Sequence, residues 1–254
     1  MINLDSLYKK YKSIHSAEDP VRFLHQYEDK RDIEITGLVS ACYSYGQIGV
    51  INRFIEEFLS RIEYRPYLFI MSFNFKKDVK LFEGMNYRFN NHFDLINLLQ
   101  NIKVNFGEYG SLLNLFKVRY SDEDKNILNA LTFFSDSMRK SYLKNLMGYD
   151  YLMPDVRNNS TCKRLNLFLR WMVRRDEIDT GIWGKEIDKS KLLMPVDIHV
   201  YRMARKFKLI KRKSCDMKFA VELTEKLKKY DAKDPVKYDF ALCHDDIQLC
   251  DTSN

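Results

Sequence analysis

Two side chains in this sequence have the type and local setting for covalent chemistry: Lys163 in STCKRLNLFLRWMVR (Ser160 to Arg174) and Asp197 in MPVDIHVYRMAR (Met194 to Arg205). Pro195 disfavours helix at the residue before it, and Asp197 stands where an N-cap belongs, with Val200, Met203 and Ala204 following on one face. A carboxylate there accepts backbone N–H bonds and is held as a fixed negative charge. With Ser160 or Thr161 as the cap, Lys163 falls in the opening turn of its helix, beside Arg164. The positive end of the helix and a neighbouring guanidinium both disfavour an ammonium there, which favours a neutral, nucleophilic amine. The plainer alternatives are an aspartate that only caps and a lysine that only faces solvent.

The elements that must position these residues read as helices. Asp19 and Pro20 form a cap and first-turn proline before VRFLHQYE. From Ile33 to Arg61 apolar residues recur at three- and four-residue spacing, with a break near Gly46 and Gly49. PYLFIMSF, from Pro66 to Phe73, is short enough to be strand or buried helix and is assigned to helix. Asp94 to Phe106 and Ser121 to Leu146 continue the pattern, the latter with Ser121 and Asp124 in a capping-box arrangement. Gly148 to Ser160 breaks it. Three further helices are expected at about Ser160 to Arg174, Asp197 to Lys208 and Asp216 to Tyr230, and a last one after Asp234 and Pro235. The expected fold class is all-α. The expected organisation is one compact helical unit over residues 1–254, with approximate lobes 33–148 and 149–254 and residues 1–32 packed on the second.

Composition agrees with that class. The 254 residues are 45% hydrophobic and 14% aromatic, which excludes a disordered chain, and only nine Gly and five Pro argue against a turn-rich β architecture. No apolar run approaches the roughly 18 residues that span a bilayer, and MINLDSLYKKYKSIHSAEDP lacks the apolar core of a signal peptide, so the expected location is cytoplasmic with no membrane partner. The cysteines Cys42, Cys162, Cys215, Cys243 and Cys250 are odd in number and contain no CxxC pair, which fits reduced thiols better than a disulfide framework or a zinc knuckle. The net charge is +7, but the distribution decides more. Ser160 to Lys213 holds 15 Lys or Arg against six Asp or Glu, a local balance of +9, while the rest of the chain stands at −2. Such a patch is the footprint expected for a polyanion, and its interleaving with Pro, Asp and His favours nucleic acid over a membrane surface.

The string PVDIHVYRMAR resembles the signature of the helix-hairpin-helix DNA glycosylase superfamily, with Asp197, His199, Val200 and Arg202 matching it. More closely, CKRLNLFLRWMVR, DTGIW (Asp179 to Trp183) and DPVKYDFALC (Asp234 to Cys243) resemble an uncharacterised bacterial family within it. The likeness runs from about Ile33 to Cys243 and includes SACYSYGQ, YRFN and YGSLLNLF. It implies a two-lobed fold with a cleft between lobes, a catalytic aspartate at Asp197 and a Schiff-base lysine at Lys163. The interval of 34 residues between them is wider than in endonuclease III relatives and closer to the archaeal 8-oxoguanine glycosylase branch. The chemistry suits both groups: breaking an N-glycosidic bond develops positive charge on C1′, which a fixed carboxylate stabilises, and a neutral amine traps C1′.

The resemblance implies double-stranded DNA with a damaged base as partner, a monomer, and a nucleoid-associated bacterial location. Expected backbone contacts are Arg164, Arg174, Arg175, His199, Arg202, Lys211 and Arg212. Two features depart from the superfamily. MPDVRNNSTCKR has no hairpin glycine, leaving Asn158 and Asn159 to take left-handed geometry, and only Cys243 and Cys250 stand near the C-terminus, so no iron–sulfur cluster and no other cofactor is expected. Base-pocket candidates are Asp239 in YDFALC, which if turned inward needs either an internal cation or a base edge, and Tyr45 and Gln47 in SYGQ, with core packing as the alternative. His244, Asp245 and Asp246 are read as a solvated tail and not as a metal site. Two functions fit: a glycosylase with AP lyase activity acting on a damaged base such as an oxidised purine, or a non-catalytic nucleic-acid-binding protein of the same fold.

Overall fold

The computed structural model describes residues 4–11, 19–144, 146–158 and 160–243. Among them there is no strand beyond two isolated bridges, Tyr87 with Asn90 and Arg175 with Thr180, so the protein is all-α. No described helix is long and apolar enough to cross a membrane. The chain divides into two compact units, residues 20–121 with 128–155, and residues 1–19 with 122–127 and 156–254. The division thus falls after 155 where 148 was expected; residues 20–32 go with the first of these units, and a six-residue loop passes to the second.

In the first unit, helix Lys30–Tyr43 is buried along almost its whole length, capped by Asp29. Its one buried carboxylate, Glu34, accepts from the backbone N–H of Leu112 at 2.8 Å and of Leu113 at 3.3 Å, and so satisfies the start of helix Leu112–Lys117. Ile48–Arg61 follows after Gly46, whose φ of 98° makes the break; Gly49 lies inside the helix. Pro66–Ser72 is a helix with proline in its first turn. His92–Tyr109 opens on a capping box made by Asn91 and Asp94.

The helix expected over Ser121 to Leu146 is only Leu128–Ser137. The physical reason for its early end lies in the neighbouring helix, which presents buried Asn97, Asn101 and Asn105 at four-residue spacing. Their amides donate to the carbonyls of Lys140 (3.0 Å from Asn97, 2.9 Å from Asn101) and Ser137 (3.3 Å from Asn105), and Asn97 accepts from Tyr142 N–H at 2.8 Å. Groups that would extend the helix bond to that ladder instead. Within 149–160 a short helix, Tyr149–Leu152, interrupts the expected loop.

The second unit contains helices Leu4–Tyr11, Lys163–Val173, Ile198–Lys206 and Met217–Leu227, with 3-10 turns Lys189–Lys191 and Pro235–Tyr238. Residues 239–243 continue as α-helix. Helix Lys163–Val173 is the unit's core, with Trp171 fully buried and Phe168 meeting buried Trp183 edge to face at 5.3 Å. The DTGIWG turn folds straight back onto the end of this helix. A Cβ on Gly181 (φ 62°) would stand 2.4 Å from that of Arg175, and one on Gly184 would stand 2.7 Å from the Val173 carbonyl oxygen, so the approach requires glycine at both places.

That turn delivers Asp179 into an ionic core. Arg170 bonds Asp179 at 3.1 Å and also Asp239; Arg174 bonds Asp179, Asp234 at 2.8 Å and Asp176 at 2.9 Å. Four carboxylates surround two guanidiniums, all largely withdrawn from water, and burial pushes the carboxyls of Asp179 and Asp239 up. Asp176 is held below the ordinary range: Arg174 and the N–H groups of Asp179 and Ile178 outweigh its burial.

Candidate active site

The starts of two helices meet in the second unit. Asp197 is the N-cap of Ile198–Lys206, and its Oδ1 accepts from the N–H groups of His199 at 3.0 Å and Val200 at 2.9 Å. Its Oδ2 turns the other way, 3.8 Å from the Nζ of Lys163 and 3.8 Å from the Sγ of Cys243. One oxygen therefore holds the helix and the other faces the reactive groups. Lys163 and Asp197 side chains keep 29% and 23% of their surface exposed, so the pair is open to a ligand.

The segment before Lys163 is pinned by three hydrogen bonds. Thr161 Oγ1 donates to the Val196 carbonyl at 2.7 Å, Asn166 Nδ2 donates to the Thr161 carbonyl at 3.0 Å, and Ser160 Oγ accepts from Cys162 N–H at 3.0 Å. The cap itself is neither Ser160 nor Thr161. It is Cys162, in left-handed geometry at φ 48°, because the Thr161 hydroxyl is committed to the neighbouring segment. Lys163 is then the first residue of its helix, with the Asp197 carboxylate offsetting the cost of a cation there.

Behind the pair lies Asp239, buried and bonded to Arg170, one helical turn before Cys243. Burial drives its carboxyl up to about 6; Arg170 opposes that, while the charge of Asp197 adds to it. The partner of Asp239 is thus an internal guanidinium, the alternative to a base edge. Burial, followed by the charges of Asp197 and Asp239, pushes the Cys243 thiol up, which keeps it protonated and a weak donor.

The remaining expected residues separate by exposure. Arg175, Arg202 and Lys211 are exposed and His199 is half-buried. Arg164 is buried, and Arg174 is buried among three carboxylates, so neither is a surface cation; Arg174 would have to abandon Asp179, Asp176 and Asp234 to reach a phosphate. Arg212 is half-buried and bonded to Asp216. Tyr45 and Gln47 belong to the other unit. Tyr45 is half-buried in an aromatic group with Tyr87, Phe89 and Tyr151, and its hydroxyl donates to Asn90; Gln47 is the exposed N-cap of its helix. Asn159, His244, Asp245, Asp246 and Cys250 lie outside the described residues.

Thr161, Cys243 and Arg170 were not among the expected site residues. The four-residue interval between Asp239 and Cys243 was the one available signal, since it places both on one helical face. No curated protein and no solved structure matches this chain. A family model described as protein of unknown function (DUF2400) matches residues 19–248, nearly the whole sequence, and the chain accordingly belongs to the DUF2400 family.

Proposed function

We propose that this protein is a DNA base-excision glycosylase that removes a damaged base, of the oxidised-purine class, from double-stranded DNA and nicks the strand through an AP lyase step. The observation that carries this reading is the 3.8 Å approach of Lys163 Nζ to Asp197 Oδ2 at the adjoining starts of two helices. The Asp197 carboxylate, fixed through Oδ1, stabilises positive charge on C1′ as the N-glycosidic bond breaks and the base leaves with the bonding pair. The Lys163 ammonium passes a proton to the departing base, and the amine attacks C1′ with its lone pair; a proton moves from that nitrogen to O4′ as the C1′–O4′ bond opens, which leaves the Schiff base. Loss of a C2′ proton and cleavage of the C3′–O3′ bond nick the strand. The protein works as a monomer, with its site in a cleft of a helix-hairpin-helix fold, at the nucleoid.

Borohydride trapping against a panel of damaged-base duplexes tests the proposal. A covalent adduct that requires Lys163 and is suppressed in Asp197→Asn is expected. Absence of any adduct or base release across the panel, with duplex still bound, would instead support a non-catalytic nucleic-acid-binding protein in which the pair is a structural ion pair.

A further inference from the structure

From Ile198 to Cys215 the sequence carries seven Lys or Arg and no Asp or Glu. The structure divides these cations into two kinds. Arg205 Nη1 donates to the Lys211 carbonyl at 2.6 Å and to that of Arg212 at 3.2 Å, and Arg212 bonds Asp216. One turn earlier on the same helix, Tyr201 donates to the Lys213 carbonyl at 2.8 Å while its ring packs on Phe219 at 5.1 Å. Tyr201 and Arg205, four residues apart, thereby staple the loop that follows helix Ile198–Lys206 back onto that helix. Arg202, Lys206, Lys208, Lys211 and Lys213 remain exposed on this stapled surface.

The turn that begins the loop is a Schellman motif: Leu209 N–H bonds the Ala204 carbonyl at 2.9 Å, and Lys208 N–H bonds that of Arg205 at 3.0 Å. The left-handed position, which glycine usually fills, is held by Lys208 at φ 55°. A cation thus stands where backbone geometry alone would favour glycine.

Resting on the glycosylase reading, we infer that this loop is the main sequence-independent contact of the protein with the phosphodiester backbone of a nucleic-acid duplex. The segment MPDVRNNSTCKR around Lys163 has no glycine to let backbone N–H groups approach a phosphate, and Arg170 and Arg174, which inflate the formal charge of Ser160 to Lys213, are spent on internal carboxylates. The nine residues of helix Ile198–Lys206 span about 13 Å, a length comparable to about four nucleotide steps of 3.4 Å, so a duplex engaged at Asp197 is long enough to reach the loop at the far end of that helix. Rigidity matters because a preorganised cation cluster loses less side-chain and loop entropy on binding.

The experiment is a titration of the full-length protein with an undamaged duplex at salt concentrations between about 50 and 200 mM. The four substitutions Lys206→Gln, Lys208→Gln, Lys211→Gln and Lys213→Gln are combined, with the corresponding four Lys→Arg changes as the conservative control. Each phosphate contact contributes about 0.9 to the slope of log affinity against log salt, so the glutamine variant is expected to lose roughly 3 to 4 from that slope while the arginine variant keeps it. An unchanged slope in the glutamine variant overturns the inference, as does a wild-type protein that does not bind duplex. Lysine-dependent binding to phosphatidylserine vesicles without duplex binding overturns it in favour of a lipid surface. Trapping through Lys163 with an unchanged salt slope would sink this inference alone, whereas lysine-dependent duplex binding with neither trapping nor base release would sink the glycosylase reading alone.

Discussion

Thr161 donates its hydroxyl proton to the carbonyl oxygen of Val196 at 2.7 Å, two residues before Lys163 and one before Asp197. That single bond joins the residues preceding two helices, and the pair of helix starts it joins carries the candidate nucleophile and the candidate carboxylate. Replacing Thr161 by valine keeps the shape but leaves a buried carbonyl without its partner, with an expected loss of about 1 to 3 kcal/mol. Serine should restore most of it. Chemical unfolding measures the stability, and the rate of amine modification at Lys163 reports whether Asp197 still faces it; equal modification rates in wild type and Thr161→Val would remove the positioning role.

Lys163→Arg separates chemistry from charge. Arginine keeps the cation and an ion pair with Asp197 but supplies no amine that can form a Schiff base. Strand cleavage should disappear while duplex affinity stays within about twofold; retained cleavage would rule out the covalent route. Asp197→Asn can still cap the helix, so its melting temperature should fall little, whereas Asp197→Ala should lose about 1 kcal/mol on top of activity.

The ionic core is buried, so its expected contribution is to stability. Arg174→Met removes the guanidinium that bonds Asp176 and Asp234 and one of the two that bond Asp179, and removing one partner from a buried pair typically costs roughly 3 to 5 kcal/mol. The salt slope of duplex binding should be unchanged, because Arg174 is not on the surface. Equilibrium unfolding and salt titration of the same variant check both halves.

Asp239 gives the protein a pH signature of definite sign. Its carboxyl titrates near 6 in the folded protein against an ordinary 3.8, so the folded state holds the proton more tightly. The stability it contributes is fully present below the unfolded value and is lost as pH rises through about 6, up to roughly 3 kcal/mol across that window. Asp239→Asn should remove this decline. The difference between wild-type and variant unfolding free energies, measured from pH 4 to pH 7, isolates it from carboxylates of opposite sign such as Asp176.

Lys208→Gly should move stability and binding in opposite directions. Glycine relieves a left-handed backbone strain of about 1 to 2 kcal/mol, offset in part by its own unfolded-state entropy, while one phosphate contact is lost. A higher melting temperature together with a shallower salt slope is the expected pair of results, and a lower melting temperature would contradict the strain.

Much of the scaffold was legible because its signals are local. Asp197 caps its helix and Pro235 opens the last helical turn because a side-chain oxygen or a proline ring acts within three residues of itself. Apolar spacing likewise located helix Lys163–Val173 within three residues at each end. Where locality failed, a partner far along the chain had taken the group in question. Thr161 was free to cap in the sequence, but Val196 claims its hydroxyl, and the helix beyond Ser137 ends because asparagines from 97, 101 and 105 compete for its backbone.

Charge shows the same division. The sequence alone determined an all-α chain, the cap at Asp197, the candidate pair Lys163 and Asp197, and a 54-residue segment with a formal +9. Only the tertiary structure decided that this pair stands 3.8 Å apart, that Asp239 faces Arg170, and that Arg170 and Arg174 are internal while Lys206, Lys208, Lys211 and Lys213 face outward. The reason is that a cap or a periodicity is a property of neighbouring residues, whereas burial of a charge depends on whether a distant carboxylate arrives to meet it, and Asp179, Asp234 and Asp239 arrive by a turn, a loop and a separate helix.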